Sequence, residues 1–313
     1  GIQADGAMSD AIITNNLISM NKGTGVYMGL GMMGFIYKNE ITKNENGVIM
    51  ISSQNKLMLN RITNNLMNGV YLMTKDDILN DSDVKMNLIS HNKMNGILVE
   101  GMNNMTNIQS NYNISENGGC GIMVSDKADV KIVNNFIYYN TCQGVLLQES
   151  TTSKVHLNNI FKNIKANIAL GGENSGEHLI ISNVIHGSCS EGIYMVRTGS
   201  AIICKNEIFN NYDGMVIEES CPEIKNNKIR NNSCNGILIC KGSCPLVQNN
   251  QITENEVAGI LIVDISEPKI YSNQFDNNEI NLASANNNFK ISPSLDSVKG
   301  RNIIPKKEEC VIF

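Results

Sequence analysis

Apolar residues along this chain alternate with polar ones over short stretches, as in Ile224-Lys225-Asn226 and Lys228-Ile229-Arg230. Elsewhere they gather in brief runs such as Gly236-Ile237-Leu238-Ile239 and Gly259-Ile260-Leu261-Ile262. Both patterns belong to β-strands, and no segment keeps an α-helical period for a useful length. The strands recur. The phrase Asn-x-Ile-x-x-Asn stands at Asn16-Ile18-Asn21, Asn39-Ile41-Asn44 and Asn60-Ile62-Asn65, and continues along the chain to Asn273-Phe275-Asn278. Two copies are degenerate: Asn111 to Asn117 carries an extra residue, and Asn183-Ile185 is followed by Ser188. Successive copies start 21 to 27 residues apart, mostly 23. Each leads into a Gly-aliphatic step, from Gly25-Val26 to Gly259-Ile260, and Asn167-Ile168 and Glu279-Ile280 fill the two gaps.

A unit of this length cannot bury its own apolar face, whereas stacked units share a core. The expected fold is therefore all-β: a right-handed parallel β-helix of about 12 coils over residues 1–284. At the expected sheet spacing the rod is roughly 55 to 60 Å long. Asn tolerates the left-handed backbone of a tight corner, and stacked amides hydrogen-bond along a column. The predicted ladder is Asn16, Asn39, Asn60, Asn87, Asn111, Asn135, Asn158, Asn183, Asn206, Asn227, Asn250 and Asn273. The glycines are read in the same way, as residues that turn without a Cβ penalty. Residues 74–83 and 171–178 are expected to bulge from corners, and 285–313, with Pro293 and Pro305, to form a cap or docking tail. Gly1-Ile2 stands 24 residues before Gly25-Val26, so the chain is expected to begin in mid-coil, as a piece of a longer array or one member of an assembly.

The copies that open Ser220-Cys221-Pro222-Glu223-Ile224 and Ser243-Cys244-Pro245-Leu246-Val247 resemble the β-helix repeats of the pectin-lyase-like superfamily. They look most similar to those of eukaryotic β-helical F-box proteins and the Shc SH2-domain-binding protein. The copper-pathway protein NosD and mannuronan epimerases are more distant. The resemblance covers residues 1 to about 283. It implies the module rather than a pathway, because the superfamily holds lyases, hydrolases, epimerases and catalytically silent scaffolds.

Composition narrows the partners. The chain is 42 % hydrophobic and 18 % charged with a net charge of −5, and its only arginines are Arg61, Arg197, Arg230 and Arg301. That balance argues against a nucleic-acid footprint. The longest weakly polar run, residues 25–37, holds four glycines and is too short to cross a bilayer. The start Gly-Ile-Gln-Ala-Asp shows no secretory pattern. Nine cysteines follow the coil spacing rather than a disulfide framework, with Cys221 and Cys244 equivalent one coil apart, so reduced thiols and an intracellular location are expected. The sequons, among them Asn104-Met105-Thr106, Asn113-Ile114-Ser115 and Asn231-Asn232-Ser233, are no more than 49 asparagines would supply by chance.

Candidate chemistry is sparse. Asp76, Asp77, Asp81 and Asp83 form the dense acidic cluster, a weak cation site at most, since their spacing matches no calcium loop. Arg197 beside Glu191 or Asp213 reads as a surface ion pair before it reads as a base. His91, His156, His178 and His186 fall at different places in their coils and read as surface or corner histidines. The final Cys310-Val311-Ile312-Phe313 has the form of a prenylation signal, with Lys306 and Lys307 upstream, and offers a possible membrane anchor at Cys310. No catalytic residue or cofactor is assigned. The favoured function is a non-catalytic scaffold that presents Tyr27, Tyr71 and Tyr194 to other subunits of a larger assembly, such as a cytoskeletal or ciliary one. The alternative is a carbohydrate-active or polysaccharide-binding protein with a groove along one strand face.

Overall fold

A computed structural model describes residues 1–6, 10–75, 78–149, 152–172 and 176–285. Within them 37 strands, numbered β1 to β37 in chain order, repeat in threes. The first turn is β1 (Ile2–Ala4), β2 (Asp10–Thr14) and β3 (Leu17–Ser19), and β4 (Val26–Met28) starts the next. Every third strand pairs in parallel, giving one 13-stranded and two 12-stranded sheets wound as a continuous β-helix. The interior is aliphatic and built in columns. In the third sheet Ile18, Ile41, Ile62, Ile89, Ile114 and Ile137 stand in register and lead on to Phe275, all buried. Full burial of such a side chain stabilises by about 1.5–3 kcal/mol, and no coil makes these contacts alone.

The asparagine ladder forms as expected, and it is double. Asn60 donates from its backbone N–H (2.9 Å) and its Nδ2 (3.1 Å) to Oδ1 of Asn87 one coil on, while Nδ2 also donates to the Ile36 carbonyl one coil back (2.9 Å). The second Asn of each phrase does the same: Asn65 donates to Asn92 and Asn92 to Asn117. Each buried amide thus finds partners on both sides, which removes the penalty of leaving a buried donor unmade. The left-handed backbone, however, lies on the residue before each ladder Asn and not on the Asn itself. Lys38, Leu59, Met86, Leu157 and Lys205 precede the first ladder with φ between 53° and 58°. The fully bonded Asn behind them fixes the corner, so the corner residue need not be Asn or Gly.

The repeated glycines serve close approach rather than turning. A Cβ at Gly69 would lie 2.7 Å from the Gly96 carbonyl oxygen, from Ile89 Cγ2 and from Asn92 Nδ2. None of the glycines in this column has positive φ. One coil breaks the column and repairs it. Asn167 stands where the others have Gly, and Ser188 stands where the second ladder has Asn. The Asn167 side chain enters the space left by the serine: its Oδ1 accepts from Asn163 Nδ2 (2.9 Å), and its Nδ2 donates to Asn211 Oδ1 (3.1 Å), 44 residues away. At the last described coil Asn281, rather than Glu279, pairs with the glycine column, because Ala258 aligns with Ile280; the expected step there is out of register by two.

Two further expectations are corrected. Cys221 and Cys244 are disulfide-bonded, not reduced: stacking in one column puts their Cα atoms 4.6 Å apart, within bonding range. Six other described cysteines are free. His178 is fully buried rather than a surface residue. Its Nδ1 accepts the inward backbone N–H of Ser153 (3.3 Å), which would otherwise lack a partner. Farther along, Pro222 and Pro245 stand immediately before the corresponding strands, where a residue without an N–H needs no acceptor. Of the segment 171–178 expected to bulge, Gly171 ends one strand and His178 begins the next, and residues 173–175 lie outside the described residues.

Candidate functional site: the outward face of the first sheet

Strands of the first sheet alternate, with Val70 and Leu72 inward in β10 (Val70–Met73), and Tyr71 and Met73 outward. Because the register never slips, the outward residues also form columns. One of them runs Ile49, Tyr71, Leu98, Met123, Leu146, Ala169, Tyr194, Val216, Leu238 and Leu261. It is an apolar stripe along the rod, broken by two aromatic rings in this stretch, and Tyr27 continues it beyond Ile49. The other two sheets present Lys56, Arg61, Lys131, Lys154, Lys228 and Lys269 from their strands. None of the first sheet's described strands contains Lys, Arg or His.

The stripe narrows to its smallest residues in β22 (Ile168–Gly171). Ala169 and Gly171 stand between Leu146 and Gln148 on one side and Tyr194 and Val196 on the other, and a cavity of about 610 Å³ opens above them. Lys127, Glu149, Gly172 and Arg197 line its rim. The floor is open by choice of residue: a Cβ at Gly171 would meet nothing nearer than Val196 Cγ1 at 3.5 Å, so larger side chains would fit there and fill the groove.

Tyr194, in β25 (Glu191–Val196), forms a wall, and its hydroxyl donates to Glu218 Oε2 (3.0 Å) in β28 (Asp213–Glu218). Lys241 Nζ donates to the same oxygen (2.7 Å). Burial, helped by the Glu218 carboxylate, pushes the Tyr194 phenol up to about 12. The same unit occurs again in the sheet: Tyr71 donates to Glu100 Oε2 (2.7 Å), and Ser125 Oγ donates to Oε1 (3.2 Å). Burial and then Glu100 raise the Tyr71 phenol above its ordinary value. Both tyrosines therefore stay protonated at neutral pH, as hydrogen-bond donors and apolar walls rather than bases.

The other residues singled out in the sequence are dispersed. Arg197 pairs with Glu219 (3.3 Å), in the surface ion pair expected, and not with Glu191 or Asp213. Glu191 and Asp213 are register partners at the start of β25 and β28. Burial raises the Asp213 carboxyl, hydrogen bonds from Asn235 pull it back, and Glu191 adds to the rise. Asp83 is ion-paired with Lys85 (2.9 Å) and Asp81 is exposed, while Asp76 and Asp77 lie outside the described residues. Among the described residues no three His, Cys, Asp or Glu side chains are grouped to hold a metal. Cys310 and the 286–313 part of the tail also lie outside the described residues. No described helix is long and apolar enough to cross a membrane. His91 pairs with Glu116 (2.9 Å), and His186 lies between the Phe161 and Phe209 rings in a stack that runs from Tyr138 to Arg230. Of the expected anchors, Tyr27, Tyr71 and Tyr194 do share the outward face of the first sheet. The groove over Ala169 and Gly171 has a sequence signal only if coils are aligned on their Gly-aliphatic steps, where two small residues replace Leu, Gln, Tyr and Val.

A three-sheet parallel coil with stacked amide corners defines a solenoid of the β-helix class. The chain belongs to the family described as "Right handed beta helix region", which matches residues 1–112, 34–179 and 168–295. Among solved structures it is similar to the A-module of the mannuronan C-5 epimerase AlgE4 of Azotobacter vinelandii, at 13 % identity and a TM-score of 0.52, over 88 % of this chain and 82 % of that one. It is likewise similar to the A-module of AlgE6 from the same organism, at 12 % identity and a TM-score of 0.50, over 88 % and 81 %. At such identity the likeness is one of fold. No curated protein matches the chain. These comparisons support the β-helix family and not the finer likeness to F-box or Shc-binding proteins, nor a cytoskeletal or ciliary setting.

Proposed function

We propose that this protein binds a polysaccharide along the outward face of its first sheet, with the chain seated in the groove over Ala169 and Gly171. The observation that carries this reading is the groove itself: about 610 Å³, floored by two small residues in neighbouring, otherwise bulkier columns and walled by Tyr194. An apolar floor with a few placed polar groups suits a sugar ring, whose faces are apolar and whose edge is a ring of hydroxyls. The reading prefers the carbohydrate alternative to the scaffold. The scaffold accounts for a regular rod but not for the groove. The fold-level likeness to mannuronan epimerases agrees with the choice without deciding it.

The test is to fill the groove. Gly171→Phe places a ring over Ala169 with no backbone obstruction, so the fold is kept and glycan retention in affinity electrophoresis is lost. If Gly171→Phe leaves glycan retention as it was, the groove is not the site.

A further inference from the structure

Resting on that reading, we infer that the ligand is an uncharged linear glycan, long enough to reach from Tyr194–Glu218 to Tyr71–Glu100, and not a polyuronate. The charge pattern carries the first half. Among the first sheet's described strands no position is basic, and the charged residues facing outward beside the stripe are Glu100 and Glu218. The cations at the rim of the groove have acidic companions: Arg197 is paired with Glu219, and Lys127 shares the cavity wall with Glu149; beyond the rim, Lys241 is paired with Glu218. A carboxylate on each sugar would meet two carboxylates along the path and no strand-borne cation. Like charges brought together at an interface weaken binding strongly, and more so at low salt.

The duplication carries the second half. In both units a tyrosine hydroxyl donates to a glutamate in the next strand of the sheet, at 2.7 Å for Tyr71–Glu100 and 3.0 Å for Tyr194–Glu218. The rings are thus held in one orientation before any ligand arrives, which lowers the ordering cost of binding. The carboxylate oxygens keep lone pairs for sugar hydroxyls. Five strand steps separate β10 from β25 in the sheet, about 24 Å at the usual spacing, and the stripe of Leu98, Met123, Leu146 and Ala169 joins them. A hexasaccharide spans that distance and a disaccharide does not.

Isothermal titration of the whole chain compares neutral linear oligosaccharides (gluco-, manno- and xylo-series, two to six rings) with hexamers of mannuronate and galacturonate. The expected result has three parts. A neutral hexamer binds at least tenfold more tightly than either uronate, and the gap narrows as salt is raised. Tyr194→Ala abolishes binding. Tyr71→Ala weakens the hexamer several-fold while leaving the shortest ligand that still binds unchanged, with circular dichroism confirming that both variants are folded. Equal or tighter uronate binding overturns the charge assignment and leaves the groove standing. A Tyr71→Ala variant that binds hexamer like the parent overturns the second subsite. If neither series binds, the polysaccharide reading itself falls.

Discussion

Replacing Asn167 by Gly and Ser188 by Asn, singly and together, tests whether the coil interior is fitted pair by pair. In ten other coils a Gly faces a ladder Asn, as Gly144 faces Asn163, where a Cβ would stand 2.6 Å from Nδ2. Asn167→Gly removes the acceptor of Asn163 Nδ2 and a donor to Asn211 Oδ1. It leaves Asn163 with longer bonds to the carbonyls of Ile137 (3.3 Å) and Phe161 (3.4 Å). An under-satisfied buried amide costs about 1–3 kcal/mol and the added glycine up to about 1 kcal/mol, so the single variant loses about 1–4 kcal/mol. Ser188→Asn forces two amides into one space, an overpacking cost of about 1–3 kcal/mol, and gives up the Ser188 Oγ bond to the Lys165 carbonyl (3.0 Å). The double variant recreates the pair used elsewhere and should lie within about 1 kcal/mol of the natural chain, so the two changes couple by at least about 1 kcal/mol. The measurement is urea unfolding followed by circular dichroism. Because solenoids unfold in segments, amide exchange at Ile160, Ile185 and Ile208 places the loss in these coils. Single effects that add to within about 0.5 kcal/mol would refute the fitted-pair account.

The remaining predictions concern the same columns. Gly69→Ala should cost about 1–3 kcal/mol through overpacking, because its Cβ meets a backbone carbonyl at 2.7 Å. Gly171→Ala, which meets only Val196 at 3.5 Å, should be nearly silent in the same melt. Burial holds the imidazole of His178 down to about 4, against 6.5 when unfolded. The unfolded chain therefore takes up the proton first, and stability that is complete above pH 6.5 falls as pH drops toward 4, by about 3 kcal/mol in all. His178→Ser, which puts the residue of the neighbouring coil (Ser153) in its place, should flatten that part of the stability–pH curve. If the curve keeps its slope in the variant, another group is responsible. Reducing Cys221–Cys244 should destabilise the last coils by about 2–4 kcal/mol, read as a lower melting temperature in reductant that Cys221→Ser reproduces; equal melting with and without reductant would argue against the bond.

How much of this was legible in the sequence depends on whether a property belongs to one coil or to the relation between coils. Strands, period and ladder positions are local, and the Asn-x-Ile-x-x-Asn phrase shows them outright. The left-handed corner residue is not legible, because the bonded Asn behind it lets Lys38, Leu59 or Met86 occupy the position equally. The purpose of the glycines is hidden for the same reason. Only the register puts the Gly96 carbonyl 2.7 Å from where a Gly69 Cβ would be. The Cys221–Cys244 column and its spacing of one coil were visible, but not that 4.6 Å between Cα atoms falls within reach of a disulfide. Reading for chemistry looks for reactive residues, whereas the candidate site is made by a loss of bulk at Ala169, between Leu146 and Tyr194, and at Gly171, between Gln148 and Val196. The inward columns are tied to the ladder and cannot vary without loss of stability. The outward columns are free of it, so a β-helix carries its function where the repeat is least regular. In this chain the coil whose Gly–Asn pair has been exchanged for Asn167 and Ser188 is also the coil in which Asn167 leads directly into the strand of Ala169 and Gly171.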